Sequence, residues 1–71
     1  MTRRFEFVGG SSAKFWEVSQ VGNDVTVRFG RLGTDGQQQT KTLPTPEAAH
    51  LYVEKLVDQK QAKGYTECAA A

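Results

Sequence analysis

Residues 13–32 read AKFWEVSQVGNDVTVRFGRL, and the way this stretch alternates decides the fold. Successive side chains of a strand point to opposite faces. Residues 13–21 therefore set Trp16, Val18 and Gln20 on one face and Phe15, Glu17, Ser19 and Val21 on the other. Residues 25–32 set Val25, Val27, Phe29 and Arg31 together, with Thr26, Arg28, Gly30 and Leu32 opposite. Between them, Gly22-Asn23-Asp24 supplies residues that favour a tight reversal. The stretch is predicted to be an antiparallel hairpin.

Outward from this hairpin the pattern continues on both sides. Residues 4–8 (RFEFV) alternate, with Phe5 and Phe7 on one face, and Gly9-Gly10-Ser11-Ser12 connects them to the hairpin. Gly33-Thr34-Asp35-Gly36 marks another reversal, and residues 37–43 (QQQTKTL) follow as a polar edge strand on which Lys41 discourages aggregation. The periodicity then becomes helical. Thr45 suits an N-cap, Pro46 the first helical position and Glu47 the dipole. Ala48, Ala49, Tyr52, Val53 and Leu56 gather on one helical face, while His50, Glu54, Asp58 and Gln61 lie opposite and Leu51 lies off the apolar stripe. Lys60 and Lys63 suit the last turn, and Gly64 suits the position after it. The expected fold class is α+β: a small antiparallel sheet of about four strands, in a meander, covered by one helix in the C-terminal half. The chain then ends in Glu67-Cys68-Ala69-Ala70-Ala71, and the alanine tail beside Cys68 is expected to fray.

Seventy-one residues make one domain, here residues 1–71 with a core of about 4–67. A domain this small has little core to hollow into a deep substrate pocket. The net charge of +1 gives no strong general attraction to polyanions. The charge is uneven, however. Residues 1–41 hold six Lys/Arg against four acids, and residues 42–71 hold three against four. An anion-binding face is therefore expected to be local and on the N-terminal half. Cys68 is the sole cysteine, so no intramolecular disulfide forms, and a small domain without disulfides points to the cytoplasm. No apolar run reaches membrane-spanning length, and no apolar segment follows Met1-Thr2-Arg3-Arg4 before Gly9-Gly10. Neither a membrane association nor a signal peptide is expected.

The chemistry-bearing residues are sparse. One His and one Cys cannot form a structural zinc site, and the carboxylates are scattered. His50 falls on the polar helical face, and Glu54 and Asp58 form a solvated i, i+4 stripe rather than a catalytic dyad. Gly30-Arg31-Leu32-Gly33 lacks the spacing and lysine of a phosphate-binding loop. The expectation is no enzyme, no cofactor, no metal and no small-molecule substrate. What remains is Arg28 to Gly36, which packs two arginines, an aromatic and three glycines into nine residues. Aromatic faces stack on bases or sugars, and arginine forks onto phosphate. The same residues also suit a plain hairpin with Phe29 in the core and both arginines in solvent. From the residues alone both readings stand.

The stretch resembles the signature of the WGR domain, a Trp-Gly-Arg triplet followed by an apolar residue, Gly and Thr. Here it reads Phe29-Gly30-Arg31-Leu32-Gly33-Thr34, with Phe replacing the signature Trp. Phe15-Trp16, Pro46-Glu47-Ala48-Ala49 and Lys60 followed by Lys63-Gly64-Tyr65 match flanking features of the family, so the resemblance covers roughly residues 5–67. It implies a small antiparallel sheet packed with one helix. In DNA-damage-dependent poly(ADP-ribose) polymerases the module binds DNA ends and relays that binding to a catalytic domain absent from this chain. By resemblance, Phe29 stands where the family Trp contacts a terminal nucleotide, and Arg31 where the family Arg bridges to DNA or a neighbouring domain. The implied site is Phe29, Gly30, Arg31 and Arg28, with Lys14 and Lys41 adding positive field. The expected partner is nucleic acid, DNA first, bound by a monomer; the alternative is a partner protein docked through the Arg28–Gly36 edge.

Overall fold

The computed structural model describes residues 2–68. The alternating stretches become β1 (Thr2–Gly9), β2 (Ser12–Val21), β3 (Asp24–Arg31) and β4 (Gln37–Thr42), followed by α1 (Pro46–Ala62) and β5 (Thr66–Cys68). All pairings are antiparallel, and the five strands lie in the order β4-β3-β2-β1-β5. The first four form the expected meander. The register runs Phe5↔Trp16, Trp16↔Phe29 and Phe29↔Gln37, so one row of aromatic side chains crosses the sheet on a single face.

Helix α1 covers that face. Ala49, Val53 and Val57 are buried against Phe5, Trp16, Val18 and Val25. Phe29, Val27, Leu43, Tyr52, Leu56 and Tyr65 pack around this cluster while half-buried. Val57 belongs to the buried stripe although the sequence pattern ended it at Leu56, whereas Leu51 is exposed as its off-stripe position requires. The helix begins as expected: Thr45 Oγ1 accepts a hydrogen bond from the Ala48 N–H at 3.0 Å, and Pro46 fills the first turn. It ends in a Schellman arrangement. Gly64 donates to the Gln61 carbonyl and Tyr65 to the Lys60 carbonyl, both across 3.0 Å, satisfying two otherwise orphaned carbonyls.

The turn after α1 has a consequence that the sequence pattern did not predict. Thr66, Glu67 and Cys68 form a fifth strand on β1, where the alternation pattern placed none. Residues 69–71 lie outside the described residues. Arg3 fixes the strand by forking onto Glu67 at 2.9 and 2.8 Å, and it also reaches Glu54 on α1 at 3.5 Å. The hydrogen bond from Arg3 holds the Glu67 carboxyl below its ordinary pKa.

Candidate nucleic-acid interface

The Phe-Gly-Arg triplet sits at the end of β3, and alternation gives its three residues different tasks. Phe29 and Arg31 face the helix side; Gly30 faces the other. The chain turns over Gly30 and passes back across it. A Cβ on Gly30 would lie 2.8 Å from the Gly36 Cα, so only hydrogen fits there. Gly36 in turn lies against the Phe15 ring and the Phe29 carbonyl, with a positive φ of 72°. Between them Arg31 to Thr34 forms a turn with Gly33 at φ 89°, as a type II turn requires at its third residue. The Thr34 N–H and hydroxyl both donate to the Arg31 carbonyl, at 3.1 and 2.8 Å. The motif is therefore a folded-back loop that fixes the directions of Phe29 and Arg31.

On the helix side this end of the sheet opens into a cleft of about 330 Å³, lined by Lys14, Phe29, Gly30, Arg31, Lys60 and Tyr65 among others. A second hollow of about 300 Å³ shares Lys14, Lys60 and Tyr65 and adds Phe7 and Lys63. Lys14 on β2 stands directly opposite Arg31 on β3. Like charges set opposite each other across a strand pair cost stability. Lys60 arrives from the last turn of α1, with its ammonium 5.6 Å from the Trp16 ring centre and 5.3 Å from that of Tyr65. Burial, then the nearby Lys63 and Lys14 charges, lower the Lys60 pKa from its ordinary value. Lys14 also lies 5.7 Å from the Phe7 ring centre, and Phe7 packs on Tyr65. Among the described residues, no acidic side chain lines either hollow. The result is a shallow concave surface with four cationic side chains interleaved with aromatic rings.

The structure brings together Lys14, Phe29, Gly30 and Arg31 from the residues selected by sequence. It does not bring Arg28 or Lys41 to them. Arg28 lies on the opposite face of the sheet, where its Nε and Nη2 donate to Glu17 at 3.0 and 2.8 Å. Arg4 donates to the other Glu17 oxygen at 2.7 Å, and both guanidinium groups lie over the Phe15 ring, at 4.7 Å for Arg4 and 5.5 Å for Arg28. Phe15 is consequently only 1% exposed although no helix covers that face. Arg28 thus closes a small secondary core. Lys41 is on the helix side but pairs with Val25, about 20 Å along β3 from Arg31 at a strand rise of roughly 3.3 Å. Its ammonium lies 4.8 Å from the Tyr52 ring centre. Lys60, Lys63 and Tyr65 are the cleft residues that the sequence reading missed. Their charge was assigned to the helix dipole, although the Lys60…Lys63-Gly64-Tyr65 pattern had already marked them.

The remaining chemistry is thin. Among the described residues no three His, Cys, Asp or Glu side chains converge as a metal would need, and His50 is exposed on α1. No helix is long and apolar enough to cross a membrane.

The geometry defines a small α+β domain in which a folded-back glycine loop presents an aromatic and an arginine beside a lysine-bearing helix end. Comparison with known proteins specifies which one. The chain belongs to the WGR domain family, which it matches across residues 1–71. WGR domains are binding modules associated with nucleic-acid binding in poly(ADP-ribose) polymerases. Two proteins of Escherichia coli K12 are similar: Protein YehF, 39% identical over 67 residues, and the uncharacterized protein YfeS, 34% identical over 67 residues. Each match covers 94% of this chain but 24% of YehF and 28% of YfeS, so the chain spans about a quarter of these relatives. A crystal structure of a Bacteroides fragilis protein superposes with a TM-score of 0.94 at 42% identity, covering 97% of this chain and 20% of that one.

Proposed function

We propose that this domain binds nucleic acid, DNA ends or backbone, through the cleft at the end of β3. The observation that supports this most is the convergence of Lys14, Arg31, Lys60 and Lys63 around Phe29 and Tyr65 with no lining carboxylate. Such a surface is costly for folding, because Lys14 and Arg31 face each other across the ladder and neither has an acidic partner in the cleft. Phosphates would relieve that repulsion, with Arg31 forking onto one and the lysines acting as point charges. Phe29 is anchored against the core and offers its remaining face at the cleft, so it stacks on a terminal base or sugar rather than inserting deeply. The role of Arg28 is to hold the platform, and Lys41 acts only as distant field.

The test is a binding titration against blunt, nicked and single-stranded DNA at several salt concentrations. Four phosphate contacts predict a log–log salt slope of roughly −3.6 for duplex DNA. Lys60→Ala and Arg31→Ala should each make the slope shallower by about 0.9. Absence of binding to any of the three DNAs at low salt would overturn the proposal. A second reading rests on the relatives, in which this domain occupies about a quarter of the chain. There the Phe29–Gly36 edge would dock a neighbouring protein segment, and binding would survive added salt.

A further inference from the structure

Strand β4 forms one edge of the sheet, and all six of its residues are exposed. Its hydrogen-bonding phase follows from the ladder. Leu43 donates its N–H to the Asn23 carbonyl across 2.8 Å. Bonded pairs alternate with unbonded ones in an antiparallel ladder, so Val25↔Lys41, Val27↔Gln39 and Phe29↔Gln37 are the bonded pairs. The tight reversal at Gly22 and Asn23, closed by Val21↔Asp24, requires the same phase. The N–H and C=O groups of Gln38, Thr40 and Thr42 therefore point away from β3 towards the open edge. The opposite edge, β5, offers only three residues.

We propose that β4 pairs with β4 of a second copy of this chain, antiparallel about a two-fold axis at Thr40. In that register Thr40 meets Thr40 of the second copy, and Gln38 meets Thr42. Every outward N–H and C=O finds a counterpart. A slip of two residues leaves one outward residue unmatched, and a slip of one sets outward groups against inward ones. On the helix side Gln39 meets Lys41 of the second copy, so the only charge on the strand faces a neutral amide rather than a like charge. The axis is perpendicular to the sheet, which keeps both α1 helices on one side. The two-fold register matches every outward group while holding the two Lys41 side chains out of opposition, so Lys41 guards the edge against slipped pairing and a second copy is the strand that fits it. A six-residue edge is smaller than the roughly 800 Å² per partner of a stable interface. The dilute protein is therefore monomeric and the dimer forms as concentration rises. The inference does not depend on nucleic-acid binding.

Sedimentation equilibrium of the full chain over a wide concentration range, with amide hydrogen exchange, tests this. The expected result is a mass rising from monomer toward dimer, with protection growing at the Gln38, Thr40 and Thr42 amides. Gln39→Glu creates two symmetric pairs with Lys41 and should tighten the dimer roughly four-fold, each exposed pair contributing modestly. Gln39→Lys should weaken it to a similar degree. Thr40→Pro removes an N–H that no internal bond uses, so the fold persists by circular dichroism while dimerisation is lost. A monomeric mass at every concentration in both the wild type and Gln39→Glu would overturn the proposal. So would a dimer that Thr40→Pro and Gln39→Lys leave unchanged.

Discussion

Replacing Gly36 with alanine separates two costs that a glycine position can hide. Gly33 and Gly36 both have positive φ, 89° and 72°, so a Cβ is disfavoured at each by about 1–2 kcal/mol. At Gly33 the new Cβ would find nothing within 4 Å. At Gly36 it would lie 2.3 Å from the Phe29 carbonyl oxygen and 2.8 Å from the Phe15 Cζ. One obstacle is the backbone of a paired strand and the other a buried ring, so neither yields without moving its element. Overpacking of this kind adds about 1–3 kcal/mol. Gly36→Ala should therefore be less stable than Gly33→Ala by about 2 kcal/mol, or roughly 8–16 °C in Tm for a domain this small. Trp16 is the only tryptophan and is 3% exposed, so its fluorescence reports unfolding in urea directly. If the two variants unfold within about 0.5 kcal/mol of each other, well below the overpacking cost, the wedge of Gly36 against Phe15 and Phe29 is wrong.

The same geometry assigns signs to other changes. Burial works to raise the Glu17 pKa, but hydrogen bonds from Arg4 and Arg28 outweigh it and hold the carboxyl below the ordinary glutamate range. A folded pKa below the unfolded one gives stability that is present above that range and lost as pH falls through the folded value. Glu17→Gln should therefore cost about 1–2 kcal/mol at pH 7, and thermal melts should show it converging on wild type as pH falls below the ordinary glutamate range. Arg28→Ala should lower Tm while leaving DNA affinity within about two-fold, since it removes one of two lids from Phe15, whereas Arg31→Ala should do the reverse; parallel melts and titrations separate the two. Val53→Ala removes two methyl groups from a side chain that is 1% exposed and should cost about 2–3 kcal/mol in urea unfolding.

Much of the fold was legible because alternation on β2 and β3 is strong enough to fix which residues share a face. Trp16, Val18, Val25 and Val27 all landed where period two puts them. The helix was legible because Thr45, Pro46 and Gly64 each perform a local task that needs no tertiary partner. The fifth strand was not legible. Three residues, Thr66 to Cys68, are too short to show a period, and their place depends on distant events: the Schellman turn that aims the chain and the fork from Arg3, sixty-four positions earlier, that receives it.

Arg28 was grouped with Arg31 for a different reason, and the information that separates them was already present. Arg28 and Arg31 are three residues apart, which is adjacent on a helix but opposite on a strand. Grouping them with Phe29 as one basic patch followed their proximity in sequence, while the alternation that built the sheet had already put Arg28 on the far face. There it meets Glu17, itself an odd-numbered neighbour of Phe15 on β2. The lysines that replace it at the cleft come from the other half of the chain. Lys60 reaches the cleft only because α1 crosses the sheet at the height of Trp16 and ends beside Lys14, a relation set by packing rather than by any local pattern. The basic face is thus shared between a strand pair and a helix end, and the near-neutral total charge is no guide to it. Glu17, Glu54 and Glu67 are tied to Arg3, Arg4 and Arg28. Lys14, Arg31, Lys60 and Lys63 instead gather on one concave surface that, among the described residues, no acidic side chain lines, so the local arrangement of charge, and not its total, is what makes this surface cationic.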